Sequence, residues 1–321
     1  MDQTILEKLK NGEDPFRRKD YGPVMEFVPE QLDEEGQQVQ MPLLRFPALE
    51  ALTDEKGEKL VQHMFTTRLG GVSTGICESM NLHRFMGDDK AHVRENYRRV
   101  SKYMGAPLTR FVISYQVHSP NVFVATEESA GNGMTREWEY RDVDGAVTNV
   151  RGMPLGIFLA DCVPVYFVDP VKKAIGLSHS GWKGTVGRIS RATIDRMREN
   201  YDTDPADLMV GIGPSICQDC YEVSPDVAEV FRKEFAGHED EILRKGRLGP
   251  VMIDGKETGE LEQKWQLSLW EAIRITLLEE GVRAENISIT DICTNCNPDL
   301  LFSHRFTKGR RGLLGAFLML R

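Results

Sequence analysis

Apolar positions along the 321-residue chain follow two periods, and the periods place the elements. From Asp89 to Met104, the residues Val93, Tyr97, Val100 and Met104 share one stripe of a 3.6-residue period, with Gly105 as a stop. Ser224-Pro225 opens a second helix, with Pro at the first helical position and Val227, Val230, Phe231 and Phe235 turned inward. The spacing of Trp265, Leu269, Ile273 and Leu277 predicts a third over Leu261 to Glu280, closed by Gly281. A fourth follows Gly184, runs to about Asn200 and buries Val186, Ile189 and Met197. Short apolar runs between these read as strands: Phe111–Ser114, Val122–Ala125, Leu155–Leu159, Val163–Val168, Ala174–Leu177, Met209–Ile212 and Ile287–Ile292, with a terminal strand inside Gly312–Leu320. Strands outnumber helices, and neighbouring strands lie close enough for hairpins. The pattern predicts an α/β fold, a single domain of mixed β-sheets with helices packed outside, rather than an all-parallel doubly wound sheet.

Residues 1–40 are charged and show no sustained period. Met1 to Tyr21 reads as a loosely docked arm, and Asp33-Glu34-Glu35-Gly36 as the turn of an opening hairpin. No repeat and no Pro/Ser-rich linker divides the chain. Residues 1–50 are therefore read as arm and hairpin, and residues 51–321 as one domain. Hydrophobic residues at 40% against 28% charged exclude a disordered chain. The net charge, 40 − 49 = −9, argues against general binding of nucleic acid. The most apolar stretch, Met153 to Val168, is broken by Pro154, Asp161 and Pro164 and is too short to span a membrane. Six cysteines are too few for a disulfide scaffold, and the charged N-terminal residues lack the apolar stretch of a secretory signal. The expected compartment is the cytoplasm.

Of the seven histidines, His92 and His238 lie in charged surroundings and read as solvated, while His63 and His83 carry no partner pattern. His118 and His179 each follow a strand, and Cys162 sits in the polar break Ala160-Asp161-Cys162 between two strands. Strand ends are where loops gather and sites are built. Two readings stay open for the three: a shared site, or a buried thiol and two hydrogen-bonded histidines. Gly181 and Gly184 bracket Trp182-Lys183 just before a helix, an arrangement that lets backbone approach an anion. Thr67-Arg68-Leu69-Gly70-Gly71-Val72-Ser73 is a second Gly-rich loop carrying a cation, and is also compatible with a plain hairpin turn. Cys217-Gln218-Asp219-Cys220 and Cys293-Thr294-Asn295-Cys296 form two Cys-x-x-Cys units, a spacing used by four-thiolate structural zinc.

The runs Asp142-Val143-Asp144-Gly145, Ala160-Asp161-Cys162-Val163-Pro164 and His179-Ser180-Gly181-Trp182-Lys183-Gly184 closely resemble the laccase-domain, or polyphenol-oxidase-like, family of the YfiH type. So do Gln116-Val117-His118, Ser79-Met80-Asn81-Leu82, the Arg68 loop, Gly213-Pro214-Ser215, Cys220-Tyr221-Glu222-Val223, Cys293-Thr294 and Ser303-His304-Arg305. The resemblance runs from about residue 60 to the C-terminus. It implies α-β-β-α-like layers and a zinc site whose ligands fall on His118, Cys162 and His179. It places pocket polar residues on Arg68, Asn81, Gln116, Asp161 and Arg305. It implies a purine nucleoside phosphorylase acting on adenosine, inosine, guanosine and methylthioadenosine, with adenosine deaminase activity beside it. Family members are also linked to peptidoglycan-precursor editing and to polyphenol oxidation. Two departures stand out: Ser180 and Lys183 replace the usual Ala and Arg, and Lys does not reproduce a bidentate Arg contact. The resemblance assigns no second metal to the paired Cys-x-x-Cys units, so these are read as free thiols.

Two imidazoles and a thiolate leave a tetrahedral ion one open position, the mark of a catalytic site. On that expectation Asp161 is the proton shuttle, Arg68 and Lys183 are phosphate partners, and Gln116 and Asn81 face ribose or base. The partners are then small molecules, nucleoside and phosphate, with oligomeric state open. Three rivals remain. A copper polyphenol oxidase fits the donor types, since copper outranks zinc on such ligands, but the chain has no His-x-His pair for a multicopper array. A cysteine hydrolase would use Cys162 as nucleophile and His179 as base. A binding module would hold metal and nucleoside without turnover.

Overall fold

The computed structural model describes residues 3–19, 24–34, 37–84, 87–253 and 256–321. Two six-stranded mixed sheets face one another. The first runs, in spatial order, Glu26–Val28, Leu43–Arg45, Val61–Thr66, Leu314–Leu320, Leu155–Leu159 and Val112–Ile113. The second runs Ile287–Ile289, Met209–Ile212, Val163–Asp169, Ala174–Ser180, Gly145–Thr148 and Val122–Val124. Strand alternation explains why both faces of each sheet are apolar. Ile157, Leu159, Ala316 and Leu318 of the first sheet meet Tyr166, Val168, Ile175 and Leu177 of the second in the central layer. The alternate residues Phe317 and Met319 turn outward onto Val93, Tyr97, Val100 and Met104 of the helix Lys90–Met104. Val163, Val165 and Phe167 turn the other way, onto the layer holding Ile194, Met197, Phe231, Ile273 and Leu277. A one-residue slip in either sheet would exchange these faces, so the pattern enforces the register. The result is a single mixed α/β domain layered α-β-β-α, as expected.

Most predicted elements lie where the periods put them. Lys90–Met104 is capped by Asp89, whose carboxylate accepts the Ala91 N–H at 2.7 Å, and ends at Gly105 in the left-handed region, φ 69°. The helix after Gly184 is two, Trp182–Val186 and Ile189–Tyr201, parted at Arg188 with φ 58°. Three expectations are corrected. Leu261–Glu280 is helical over Leu269–Glu279; its first part, with Trp265, belongs to the strand Lys256–Leu267, paired with Leu243–Ile253. Ser268 Oγ accepts the Glu271 N–H at 3.2 Å and starts the helix there. Val230 is exposed; Ala228 and Phe231 make the buried face of Pro225–Glu234. Near the N-terminus Gln3–Lys10 is helical, and the residues that follow are pinned rather than loose: Arg18 pairs with buried Asp291 at 2.6 Å. Gln31–Glu34 pairs antiparallel with Gln37–Gln40 as an opening hairpin, while Glu35 and Gly36 of its turn lie outside the described residues. No described helix is long and apolar enough to cross a membrane.

Candidate metal centre

The chain passes from the first sheet to the second within Ala160-Asp161-Cys162, between Leu159 and Val163. Register then pairs Val163 with Ser180 and Pro164 with His179, which carries Cys162 to the level of Gly181. His118 arrives from the loop after Val112–Ile113. Ligand atoms of His118, Cys162 and His179 all lie within 4.8 Å of one another. The Cys162 Sγ to His118 Nε2 distance is 3.8 Å, and the two imidazole centroids are 4.9 Å apart. Ligand bonds of about 2.0–2.3 Å around a tetrahedral ion separate donors by about 3.4–3.8 Å, so the set fits a divalent ion. The three residues, far apart in the sequence, form one donor cluster.

Asp144 builds it. This carboxylate is fully buried, and five donors converge on it. Oδ1 accepts the N–H groups of Val117 at 2.8 Å and Ser119 at 2.9 Å, with the Ser119 hydroxyl at 3.3 Å. Oδ2 accepts the His118 N–H at 3.0 Å and faces His179 Nδ1 at 2.7 Å. Held through Nδ1, His179 presents Nε2 to the cluster, the usual carboxylate–histidine–metal order. The same contacts hold His118 in the left-handed region, φ 68°, which costs a non-glycine residue about 1–2 kcal/mol. Gly181 is required by the ligands themselves. A Cβ there would stand 2.7 Å from His118 Cδ2 and 3.0 Å from Cys162 Sγ. Gly181, expected to admit an anion, therefore admits the donor cluster instead.

The electrostatics favour a thiolate at Cys162 paired with a protonated His179, whose proton an incoming metal ion would displace. Burial pushes the Cys162 thiol up, but the imidazoles of His179 and His118 outweigh it and bring it down to about 6. Burial pushes His179 down, while the Cys162 thiolate and Asp144 carry it up to about 9. Asp144 is disfavoured as an anion by burial, yet His179 and the loop N–H groups hold it below its ordinary value.

Two clefts flank the cluster and share His118 and Cys162. The first, of about 440 Å³, has walls of Tyr115, Trp138 and Phe158, with Gln116, His83 and Arg311 as polar members. The second, of about 270 Å³, is lined by Asp161, Trp182, Lys183 and Tyr221 among others. Asp161 has φ 86°; its oxygens accept the Thr294 hydroxyl and the Arg305 N–H, each at 2.6 Å. Lys183 is exposed, with Nζ 5.6 Å from the Trp182 ring centroid. The Arg305 guanidinium lies over Tyr221 and donates to the Glu222 carbonyl at 2.9 Å.

The remaining expected residues hold backbone. Gln116 clamps Phe158, donating to its carbonyl and accepting its N–H, both at 2.8 Å. Buried Asn81 accepts from the N–H groups of His83 and Leu313 and donates to Asp88. Arg68 is not among the residues lining either cleft. Its guanidinium donates to the Glu78 and Pro298 carbonyls, each at 2.9 Å, and covers the Phe302 ring. Asp144 and Arg311 are the residues that sequence reasoning left without a role. Asp144 was visible only as the start of an Asp-Gly strand, and Arg311 as half of an Arg-Arg pair in a Gly-flanked loop. Arg311 contacts His304 Nδ1 at 3.2 Å and keeps a buried Nε without a partner.

With this geometry in view, similarity to known proteins is informative. The family described as multi-copper polyphenol oxidoreductase laccase matches residues 62–321. The chain belongs to that family. It is 32% identical over 270 residues to the protein named purine nucleoside phosphorylase YlmD of Bacillus subtilis, covering 84% of this chain and 91% of the relative. A protein named adenosine deaminase RL5, from an unknown prokaryotic organism, is 32% identical over 259 residues, with 80% and 93% covered. The crystal structure of YlmD from Geobacillus stearothermophilus superposes with a TM-score of 0.71 at 31% identity, over 87% of this chain and 96% of that one.

Proposed function

We propose that this protein is a zinc-dependent purine nucleoside phosphorylase, acting on adenosine, inosine, guanosine and methylthioadenosine, with adenosine deamination as a second activity of the same centre. The observation that carries the reading is the His118/Cys162/His179 cluster set between an aromatic cleft and a smaller polar one. The names of the relatives point the same way.

His118, Cys162 and His179 would hold the zinc. Bound there, it supplies Lewis acidity and a water-derived nucleophile near neutral pH. Tyr115, Trp138 and Phe158 offer faces and edges on which a purine packs. Gln116 and Asn81 act as positioning residues, fixing Phe158 and the Leu82-His83 wall. In phosphorolysis a phosphate oxygen bonds to the ribose C1′ while the glycosidic bond breaks, and the bonding pair leaves on the purine. The Arg311 guanidinium, which lines the first cleft, would be the phosphate partner there. Lys183 offers a second positive charge across the cluster. Asp161, beside the Cys162 ligand and fixed by Thr294 and Arg305, is the proton carrier for deamination.

A multicopper array finds little support, because the chain has no His-x-His pair and four of the five remaining histidines are committed elsewhere, while His83 lines the first cleft. His63 is buried against Phe46 and Glu50, His238 bonds Glu241, His92 lies beside Asp88, and His304 meets Arg311.

The test is incubation of metal-quantified protein with a nucleoside panel, with and without phosphate, followed by product identification. Phosphate-dependent release of free base and ribose 1-phosphate is expected. Arg311→Gln should raise the KM for phosphate by roughly 10–100-fold, the loss of one charge-assisted contact. Turnover that survives chelation with a covalent adduct on Cys162, or polyphenol oxidation without nucleoside turnover, would overturn the reading.

A further inference from the structure

The two Cys-x-x-Cys units, read in the sequence as free thiols, meet in space. Cys217, Cys220, Cys293 and Cys296 place all four sulfurs within 4.8 Å of one another, and none is in a disulfide. Cys220 Sγ and Cys296 Sγ are 3.5 Å apart, and the Cys217 N–H donates to Cys293 Sγ at 3.3 Å. Sulfurs bonded to one tetrahedral zinc at about 2.3 Å lie about 3.8 Å apart, so the cluster needs little adjustment to close on an ion. Four soft donors with no position left for solvent define a closed, structural site rather than a catalytic one.

The surroundings suit the charge. Four thiolates around a divalent ion leave two negative charges. Arg17, Arg18 and Lys19 line the cleft of about 270 Å³ above Cys296. The Lys19 ammonium is also held by Asp219, between Cys217 and Cys220, at 3.1 Å. Asn297, next after Cys296, accepts the Arg17 N–H at 2.8 Å and donates to the carbonyls of Arg17 and Cys293.

We infer that Cys217, Cys220, Cys293 and Cys296 form a second metal site, a structural zinc bound by four thiolates, distinct in residues and position from the His118/Cys162/His179 centre. The site ties together segments 76 residues apart and the N-terminal segment that packs on them. It reaches the first centre through one residue. Thr294, next to ligand Cys293, donates its N–H to the Ser215 carbonyl at 3.0 Å and its hydroxyl to Asp161 at 2.6 Å. The cross-link therefore holds the positioning partner of the carboxylate beside Cys162.

The full-length chain, produced with zinc supplied, tests this by metal analysis and mass-mapped alkylation of cysteines in the folded state. The double variant His118→Ala with His179→Ala should keep one zinc per chain. In it, Cys217, Cys220, Cys293 and Cys296 should be alkylated only after a strong chelator is added. Cys217→Ser with Cys296→Ser should lose one zinc equivalent relative to the unaltered chain. Cobalt in the double histidine variant should give the intense sulfur-to-metal absorption of a tetrathiolate site. The proposal is overturned if the His118→Ala with His179→Ala variant holds no zinc while its four cluster cysteines react freely in folded protein. It is also overturned by iron in place of zinc, or by masses showing the four joined as disulfides. If the double cysteine variant does not fold, the double histidine variant still decides, because it leaves the four thiols intact.

Discussion

Asp144→Asn isolates the carboxylate on which the first centre is built. The substitution preserves shape and removes one acceptor oxygen. Every group facing Asp144 is a donor: Val117 N–H, Ser119 N–H and Ser119 hydroxyl on one oxygen, His118 N–H and His179 Nδ1 on the other. An amide turned either way therefore sets its NH₂ against at least two donors. With the NH₂ toward Val117 and Ser119, the loop that carries His118 comes loose. With it toward His179, the imidazole loses its acceptor and the tautomer that leaves Nε2 free is no longer favoured. Buried hydrogen bonds to a charged group are worth about 1.5–3 kcal/mol each, so losing two costs about 3–6 kcal/mol of stability. For a chain of this size that lowers Tm on the order of 5–10 °C. The metal should bind roughly 10–100-fold more weakly, as for other lost partners of a ligating histidine. Thermal unfolding and chelator competition measure the two effects separately. The exposed neighbour Asp142, as Asp142→Asn, is the control and should change neither. Unaltered Tm and unaltered metal affinity in Asp144→Asn would refute the account of how the site is held.

Gly181→Ala would place a methyl 2.7 Å from His118 Cδ2 and 3.0 Å from Cys162 Sγ, forcing two ligands apart. Metal affinity measured by chelator competition should fall at least 10-fold, roughly the scale of a disturbed supporting shell, and wild-type affinity would mean the ligand loop yields freely. Acid should destabilise the fold through His63 and Glu50. Burial holds His63 below its ordinary 6.5, with Nε2 accepting the Phe46 N–H; burial opposes ionisation of Glu50, but His63, Lys59 and Arg45 hold it at about 2. Both folded values are depressed, so the unfolded chain takes up protons first, below pH 6.5 and then below 4.5. Tm should fall steadily from pH 7 toward pH 3, with a shallower fall in Glu50→Gln; a Tm that is flat or rises on acidification counts against the assignment.

How far this architecture can be read from the chain depends on whether an element is specified locally. Lys90–Met104 announces itself because its stripe, its Asp89 cap and its Gly105 stop all lie within one short stretch. The strand Lys256–Leu267 does not. Its Trp265 falls four residues before Leu269, so a helical period runs on into it, and the apolar residues of its partner strand Leu243–Ile253 do not alternate to reveal the hairpin. The N-terminal segment looks loose because its anchors are remote: Arg18 finds Asp291 across 273 positions. The site divides the same way. His118, Cys162 and His179 are visible as strand-end residues with metal-binding side chains. The direction of their neighbours is not. Asn81 and Gln116 advertise polar amides, and only the fold shows both amides spent within the protein, on backbone groups and, for Asn81, on Asp88 as well. Arg311 carries no local mark separating it from Arg310, and it lines the cleft because the loop before Leu314–Leu320 passes Cys162.

That loop and the ligands share a structural cause. Leu155–Leu159 and Leu314–Leu320 are neighbours in the first sheet, while Val163–Asp169 and Ala174–Ser180 are neighbours in the second. The three-residue crossing at Ala160-Asp161-Cys162 is where the chain leaves one pair for the other. Each donor thus comes from a different segment: Cys162 from the seam between sheets, His179 from the end of a fully buried strand, His118 from a loop bound by Asp144 just before Gly145–Thr148. The three segments adjoin at one end of the second sheet, and Asp144 ties the two histidines together, so the donor set changes shape only when that end of the sandwich shifts. The sandwich resists that, because its central layer is close-packed and crossed by buried hydrogen bonds such as Tyr166 hydroxyl to the Met64 carbonyl at 2.9 Å. Side-chain variation in either cleft can therefore alter what is bound there while leaving the geometry around the ion unchanged.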